Sequence, residues 1–272
     1  DDPSVTATFF IGGHHAREHL SVEMPLMLAQ NLAAKYAAGD AQIKQLLATR
    51  TVYIVPSLNV DGSEYDISTG RYKSWRKNRR NNGDGTMGVD LNRNYDYKWS
   101  TAGASGDTSS ETYYGKSAFS EPETQAVRDF VTSHPNISLV HSYHTFSELI
   151  LYPWGWTDSP VSNTKDFNIM STMANKMATF NNYTPQQSSQ LYQTSGDTCD
   201  WAYGALKLIC FTTEMDPREM WDGGFYPGQD TIEVAFGKNW PAALYMIEYS
   251  NSPARVLEPA HVNYGLSSPL VE

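Results

Sequence analysis

Three side chains that can bind a metal ion define the most informative feature of the sequence. His15 and Glu18 lie within the segment GGHHAREH (residues 12–19), just after the apolar run TFFI, and His141 opens the segment HSYH after the run ISLV. Two imidazoles and one carboxylate form the three-ligand set of a catalytic zinc site, which leaves a fourth position for water or substrate. A histidine three residues from a glutamate is common by chance, so the pair alone is a weak signal.

Two clusters between these segments could bind anions. Arg76 lies in WRKNRR (residues 75–80), and its planar guanidinium suits capture of a carboxylate; the alternative is a solvated basic patch or a nucleic-acid patch. In GVDLNRN (residues 88–94), Asp90 could orient a metal-bound imidazole, and Asn92 with Arg93 could add a second carboxylate-binding pair. An ordinary turn with surface polarity is the alternative there.

Two further residues suit an active site. Tyr192 lies in LYQTSGD (residues 191–197), whose small residues would let the ring swing over a site; a tyrosine packed within its own loop is the alternative. Glu214 ends the apolar run LICFTTE, and a carboxylate at the end of a buried strand needs a physical reason. A general base beside a metal-bound water is one reason, and a structural salt bridge is the other.

The elements that must position these residues alternate between strands and helices. Apolar runs predict strands at residues 5–11, 51–55, 137–143, 149–152 and 208–214, and helical patterns predict helices at 22–36, from 120 onward, at 166–180 and at 231–249, with a kink or break at Pro241. Residues 66–118 hold few apolar runs and predict a long loop region, which is usually functional or mobile. This alternation predicts an α/β fold with a mixed, mostly parallel sheet and helices on both faces. His15 and His141 would then lie at strand ends, where sites in such sheets form.

Composition narrows the function further. The chain has 272 residues, 40% hydrophobic and 18% charged, which is enough for one substantial core. A formal charge of -10 argues against a general nucleic-acid binder. No apolar run is long enough for a membrane span. Cys199 and Cys210 are the only cysteines, and the residues leave open whether they form one bridge or two buried thiols.

Taken together, the motifs resemble one family. The order of the motifs resembles that of the zinc metallocarboxypeptidases of the carboxypeptidase A/B type. These motifs are HxxE after a strand, NVDG, WRKNR, GVDLNRN, SAFSEPET, HSYH, YQTSGD and the TEM that contains Glu214. Further segments, among them HHAREHL, ELILYP and YTPQQ, are most similar to the secreted bacterial carboxypeptidase T subgroup. The resemblance covers about residues 5 to 250, so we expect a catalytic domain at 1–250 and a tail or linker at 251–272.

The resemblance implies a role for each matching residue. The zinc ligands would be His15, Glu18 and His141, the general base would be Glu214, and Arg76 would polarise the scissile carbonyl. Asn92 and Arg93 would hold the C-terminal carboxylate of the substrate, and Tyr192 would close over the bound peptide. Arg17 would line the substrate path, and Asp90 would be the partner of the first zinc histidine. The implied activity is zinc-dependent release of single residues from peptide C-termini by a secreted, monomeric enzyme. The rivals are a deacylase of small N-acyl amino acids and a non-catalytic peptide-binding relative.

The same resemblance implies a pocket for the last substrate residue, lined by Leu191, Thr194, Asp197, Cys199 and Thr212. Cys199 is small and apolar where basic-specific relatives carry an acid, which favours hydrophobic residues, although Asp197 could pair with a basic one. We therefore expect mixed preference, hydrophobic first. The family also carries an N-terminal helix and edge hairpin that this sequence is expected to lack. Calcium, which the bacterial subgroup binds partly through that stretch, is a secondary expectation.

Overall fold

Six strands form one mixed sheet through the protein. The computed structural model describes residues 4–258. The strands are β1 (Ala7–Ile11), β2 (Thr51–Val55), β3 (Ile137–Thr145), β4 (Leu149–Tyr152), β5 (Thr184–Gln187) and β6 (Ile209–Met215). Their order across the sheet is β2-β1-β3-β6-β4-β5, with β2 at one edge of the described sheet. All neighbours run parallel except β4 and β6, which are antiparallel. The predicted mixed, mostly parallel sheet is confirmed.

The strand register decides which side chains meet. Phe10 of β1 pairs with His141 of β3, and Ile11 pairs with Ser142. Farther along β3, His144 pairs with Glu214 of β6. Because β1, β3 and β6 are parallel neighbours, their carboxyl ends meet at one edge of the sheet, which is where sites form in α/β folds.

Helices cover both faces of the sheet. They are α1 (Leu20–Ala37), α2 (Ala41–Leu47), α3 (Val60–Ile67), α4 (Pro122–Ser133), α5 (Thr164–Asn181), α6 (Thr198–Leu206) and α7 (Asp230–Tyr249). Successive strand residues point to opposite faces, so Phe10 packs in the core cluster with α1, α5 and α7, and Phe9 packs in the cluster with α4 and α6. The predicted helices on both faces are therefore confirmed.

Several local features differ from expectation. The helix α7 runs through Pro241 without a break. The short helices α2 and α3 and the strand β5 were not predicted. Residues 251–258 do not extend away as a tail, because Pro253–Leu257 form a 3-10 helix whose Ala254 and Val256 pack against the core. The rest of the expected tail, 259–272, lies outside the described residues.

Candidate active site

Two histidines and one glutamate converge at the carboxyl ends of β1 and β3. His15 Nδ1 lies 2.7 Å from Glu18 Oε1, and His144 Nδ1 lies 2.9 Å from Glu18 Oε2. The two Nδ1 atoms are 3.2 Å apart. Within residues 4–258, this buried trio is the one cluster of three or more His, Cys, Asp or Glu side chains that could hold a metal ion. The expectation of calcium therefore gains no support.

The second histidine of the cluster is His144, so the prediction of His141 as a ligand was wrong. Residues three apart on a strand face opposite sides of the sheet. His141 accordingly points into the core, where its Nδ1 lies 2.8 Å from Met246 Sδ of α7 and its ring neighbours Phe10 and Tyr143. Burial, and to a lesser extent His144, lower the pKa of His141 to about 3. His144 lies one residue before the end of β3, level with Glu214.

The cluster suits a zinc ion. In each histidine the outer nitrogen is already occupied, since His15 Nε2 lies 3.1 Å from Asp90 Oδ1 and His144 Nε2 lies 3.0 Å from Ser142 Oγ. Both Nδ1 atoms therefore face the Glu18 carboxylate. Two imidazole nitrogens and a carboxylate, each ring held by a second hydrogen bond, match the donor set and outer-shell support of catalytic zinc sites.

Asp90 links this cluster to Arg76. Its Oδ1 contacts His15, while its Oδ2 accepts hydrogen bonds from Arg76 Nε at 2.9 Å and Nη2 at 2.8 Å. Burial alone would raise the pKa of Asp90, but Arg76 and His15 hold that pKa well below its ordinary value. Asp90 is thus a buried anion in contact with both partners, and its role as the partner of the first zinc histidine stays a prediction.

Glu214 faces the same site from β6. Its side chain lines a cavity together with His15, Asn92 and Arg93. Burial raises the pKa of Glu214 to about 8, and Glu18 adds to that rise while His144 and Arg76 oppose it. A carboxyl group with such a pKa can both take and return a proton near neutral pH, which suits a general base.

Arg93 is a buried cation without a buried counter-ion. Only 2% of the residue is exposed, and among the described residues no carboxylate lies within 4 Å of its guanidinium. Two backbone carbonyls hold it in place, with Nε donating to Gly103 O at 2.9 Å and Nη1 donating to Asn92 O at 2.8 Å. A buried charge needs a partner. Because Arg93 lines the cavity beside Glu214, the missing partner is expected to be an anion in that cavity.

Tyr192 and Arg17 lie at the mouth of the site. The Tyr192 residue is half exposed, and its ring centre lies 6.0 Å from Arg93 Cζ. An outer groove of about 420 Å³ is lined by Arg17, Arg76, Arg93 and Tyr192 among others. Arg17 is held there by Glu111 at 3.3 Å and by stacking on the Phe225 ring at 4.2 Å. The structure thus places both residues on the path into the cavity.

Four of the five predicted pocket residues line the inner cavity, namely Leu191, Thr194, Asp197 and Thr212. Cys199 lies just behind, 3.5 Å from Thr212 Oγ1, and is disulfide-bonded to Cys210. Leu151 and Ser188 also line the cavity and were missed. Leu151 lies in the apolar strand β4, and Ser188 lies in a polar segment after β5. Neither pattern shows which side chains turn toward the site.

The carboxylate of Asp197 is already engaged by the protein. Its Oδ2 accepts the Thr194 hydroxyl at 2.8 Å, and its Oδ1 caps α6 by accepting Asp200 N–H at 2.9 Å. An oxygen that accepts one hydrogen bond retains a second lone pair. Asp197 can therefore still receive a donor from the cavity, but its position is fixed by the helix that it caps.

Comparison with known proteins decides the family. The family model described as zinc carboxypeptidase matches residues 1–242. The chain belongs to the zinc carboxypeptidase family. It is 35% identical over 269 residues to a zinc carboxypeptidase of Saccharothrix mutabilis subsp. capreolus, covering 94% of this chain and 61% of the relative. It is 33% identical over 244 residues to human carboxypeptidase A1, covering 88% of this chain and 57% of the relative.

Two solved structures share the fold. The crystal structure of thrombin activatable fibrinolysis inhibitor superposes with a TM-score of 0.84 at 27% identity, covering 93% of this chain and 64% of that chain. The carboxypeptidase A of Helicoverpa armigera superposes with a TM-score of 0.78 at 28% identity, covering 93% and 62%. The chain thus spans somewhat less than two thirds of the length of these relatives. None of the helices among residues 4–258 is long and apolar enough to cross a membrane.

Proposed function

We propose that this zinc carboxypeptidase relative hydrolyses the last peptide bond of a peptide and releases its C-terminal residue. One observation carries the proposal: the Arg93 guanidinium, which has no carboxylate partner among residues 4–258, lies in the wall of the cavity that also contains Glu214 and His15. A free terminal carboxylate would neutralise it through charge-assisted hydrogen bonds. An internal peptide bond would leave the buried charge unpaired, so the site favours chain ends.

Zinc would be held by His15, Glu18 and His144. When bound, it lowers the pKa of a coordinated water and polarises the substrate carbonyl. The need for zinc follows from family membership, whereas this particular ligand set is proposed from the convergence of the three side chains.

The protein's own residues divide the chemistry among them. Glu214 takes a proton from the attacking water, whose oxygen forms a bond to the carbonyl carbon, and returns the proton to the departing amine as the C–N bond breaks. Arg76, fixed by Asp90, donates hydrogen bonds to the oxygen that gains negative charge. Asn92 and Arg93 hold the terminal carboxylate, Tyr192 covers the bound residue, and Arg17 contacts the upstream part of the peptide.

For the released residue we propose a hydrophobic or mixed preference. Leu151 and Leu191 give the cavity an apolar wall, and the disulfide of Cys199 and Cys210 lies behind Thr212. Asp197 offers its remaining lone pair to a basic side chain. The preference can be measured with peptides that differ only in a C-terminal phenylalanine, leucine, lysine or arginine. A strong preference for acidic residues would contradict this pocket assignment.

The same proposal extends to the domain boundaries, the oligomeric state and the location of the protein. Residues 1–250 would form the catalytic domain, acting as a monomer on peptide or protein C-termini. Secretion is supported by the disulfide, because such bonds persist in oxidising compartments. These assignments predict a single species of monomer mass in sedimentation experiments.

One assay tests the reaction against its rivals. The protein is incubated with a free-acid peptide, with the same peptide blocked as a C-terminal amide, and with an N-acyl amino acid, each with and without a chelator. We expect cleavage of the free-acid peptide alone, and loss of that cleavage with the chelator. Cleavage of the blocked peptide would refute the carboxylate grip, preference for the N-acyl amino acid would favour a deacylase, and binding without cleavage would favour a non-catalytic relative.

A further inference from the structure

A continuous chain of buried hydrogen bonds connects the proposed carboxylate grip to the proposed metal ligand. Asn92 Oδ1 accepts from Thr198 Oγ1 at 2.8 Å, and Thr198 Oγ1 lies 2.9 Å from His14 Nε2. On the other side of the ring, His14 Nδ1 lies 3.1 Å from Ser142 Oγ, which lies 3.0 Å from His144 Nε2. His14 is completely buried. We call these five residues the His14 chain.

One backbone N–H fixes the direction of the first bonds in the chain. Thr198 N donates to Asn92 Oδ1 at 3.0 Å, so that amide atom must be the oxygen. The Thr198 hydroxyl is 2.8 Å from the same oxygen and must therefore donate its single hydrogen to it. The hydrogen between Thr198 and His14 then comes from His14 Nε2, and the Tyr95 hydroxyl beside the same nitrogen accepts there and donates its own hydrogen to Thr198 Oγ1.

The remaining bonds follow from the first. Within the part of the chain that the structure describes, no carboxylate is among the hydrogen-bond partners of His14, which supports a neutral ring that carries one hydrogen. With that hydrogen on Nε2, His14 Nδ1 is an acceptor and takes the Ser142 hydroxyl hydrogen. Ser142 Oγ then accepts from His144 Nε2–H. In the zinc-loaded protein His144 would thus keep a bare Nδ1 lone pair for the metal, on the side of the ring that faces Glu18 at 2.9 Å.

We propose that His14 is a positioning residue that acts at both ends of the site. It selects the tautomer in which His144 Nδ1 can bind zinc. Through Thr198 it also keeps Asn92 Oδ1 turned inward, so that the amide N–H groups face the cavity as donors for a substrate carboxylate. This inference rests on the proposed function, because it assumes zinc at His144 and a carboxylate at Asn92.

Tyr95 supplies a second acceptor for the same hydrogen. Its hydroxyl lies 2.9 Å from His14 Nε2, and the tyrosine is completely buried. Loss of Thr198 alone would therefore leave His14 Nε2–H with a partner. Loss of both hydroxyls would favour the opposite tautomer, with hydrogen on Nδ1 donating to Ser142. The Ser142 hydroxyl would then donate to His144 Nε2, which forces the His144 hydrogen onto Nδ1 and opposes metal binding.

The first test reads the tautomers directly. In zinc-loaded protein with 15N-labelled histidine rings, two-bond proton–nitrogen correlation spectra distinguish Nε2–H, Nδ1–H and doubly protonated rings. We expect Nε2–H for both His14 and His144. An Nδ1–H or doubly protonated His14 in the zinc-loaded protein would overturn the inference. Failure of the protein to bind zinc at all would instead contradict the proposed function.

The second test uses two matched double variants that do not touch the metal. Tyr95→Phe/Thr198→Val removes both acceptors, whereas Tyr95→Phe/Thr198→Ser retains one hydroxyl. Loss of outer-shell support lowers metal affinity about 10- to 100-fold. We expect that loss, measured by chelator competition, in the valine variant only, with wild-type affinity restored by serine. Equal zinc affinity in the two variants would overturn the inference. If the valine variant fails to fold, the tautomers measured in the wild-type protein still decide whether the inference holds.

Discussion

Replacement of His141 by leucine tests both the core and the metal assignment. The His141 ring is 2% exposed, contacts Met246 and Phe10, and has an Nε2 atom without a hydrogen-bond partner among the described residues. Leucine removes the Nε2 atom, which has no partner among the described residues, and replaces the Nδ1 contact with Met246 by apolar packing, so we expect no loss of stability at neutral pH. Because His141 points away from the metal cluster, we also expect the variant to bind zinc in the same ratio as the wild-type protein.

The expected magnitude comes from proton linkage. Burial lowers the pKa of His141 from 6.5 to about 3, so the folded state keeps the ring neutral while the unfolded chain takes up a proton below pH 6.5. This group's contribution to stability is therefore present above 6.5 and is lost as the pH falls toward 3. One pKa unit corresponds to about 1.36 kcal/mol, so the loss between about pH 7.5 and 4.5 is roughly 2 to 3 kcal/mol.

The assay is denaturant unfolding of wild-type and His141→Leu protein in chelator, which removes any contribution from metal loss. The difference in unfolding free energy between the two should change by roughly 2 to 3 kcal/mol between about pH 7.5 and 4.5, in favour of leucine at low pH. A difference that does not vary with pH would refute the burial argument. His144→Leu is the matched control on the same strand, and retention of zinc by that variant but not by His141→Leu would refute the ligand correction.

Three further predictions concern the site and its support. Glu214→Gln should lower kcat about 10²- to 10⁴-fold through loss of the general base while zinc content, measured by metal analysis, stays at one per chain. Arg93→Gln should lower kcat/KM for a free-acid peptide about 100-fold, the equivalent of about 3 kcal/mol in charged hydrogen bonds, and equal rates in both proteins would contradict the grip. Replacing Cys199 and Cys210 together by alanine should lower the unfolding free energy by about 3 kcal/mol, whereas an unchanged denaturation midpoint would mean that no such bond forms in solution.

The sequence predicted the elements whose apolar pattern is long. The helices α1, α5 and α7 and the strands β3 and β6 were expected close to their observed positions, because many buried residues repeat along them. The short helices α2 and α3 lack such a pattern, since α2 buries only Ile43. At Pro241 the expected break does not occur. A proline removes one hydrogen bond from a helix, and packing of Ala242 and Met246 against the core offsets that cost.

The site shows a different limit. The resemblance to the family placed Glu214, Arg93 and Asp90 correctly beside the cavity or the cluster, but HSYH offers two histidines three residues apart. Either fits the motif, and only the face of β3 that each occupies separates them. That choice depends on the register with β1 and β6, which involves residues far away in sequence. The position of His144 beside the strand end was the one available signal in its favour.

The separation of the proposed zinc ligands along the chain bears on the order in which the apoprotein matures. Glu18 and His144 are 126 positions apart. Closing a loop of that length costs on the order of 4 kcal/mol of chain entropy, so an unfolded chain does not hold the three proposed ligands together. The pairing of β1 with β3 must therefore come first. Zinc then stabilises an already folded chain by mass action, rather than nucleating its collapse as in a zinc finger.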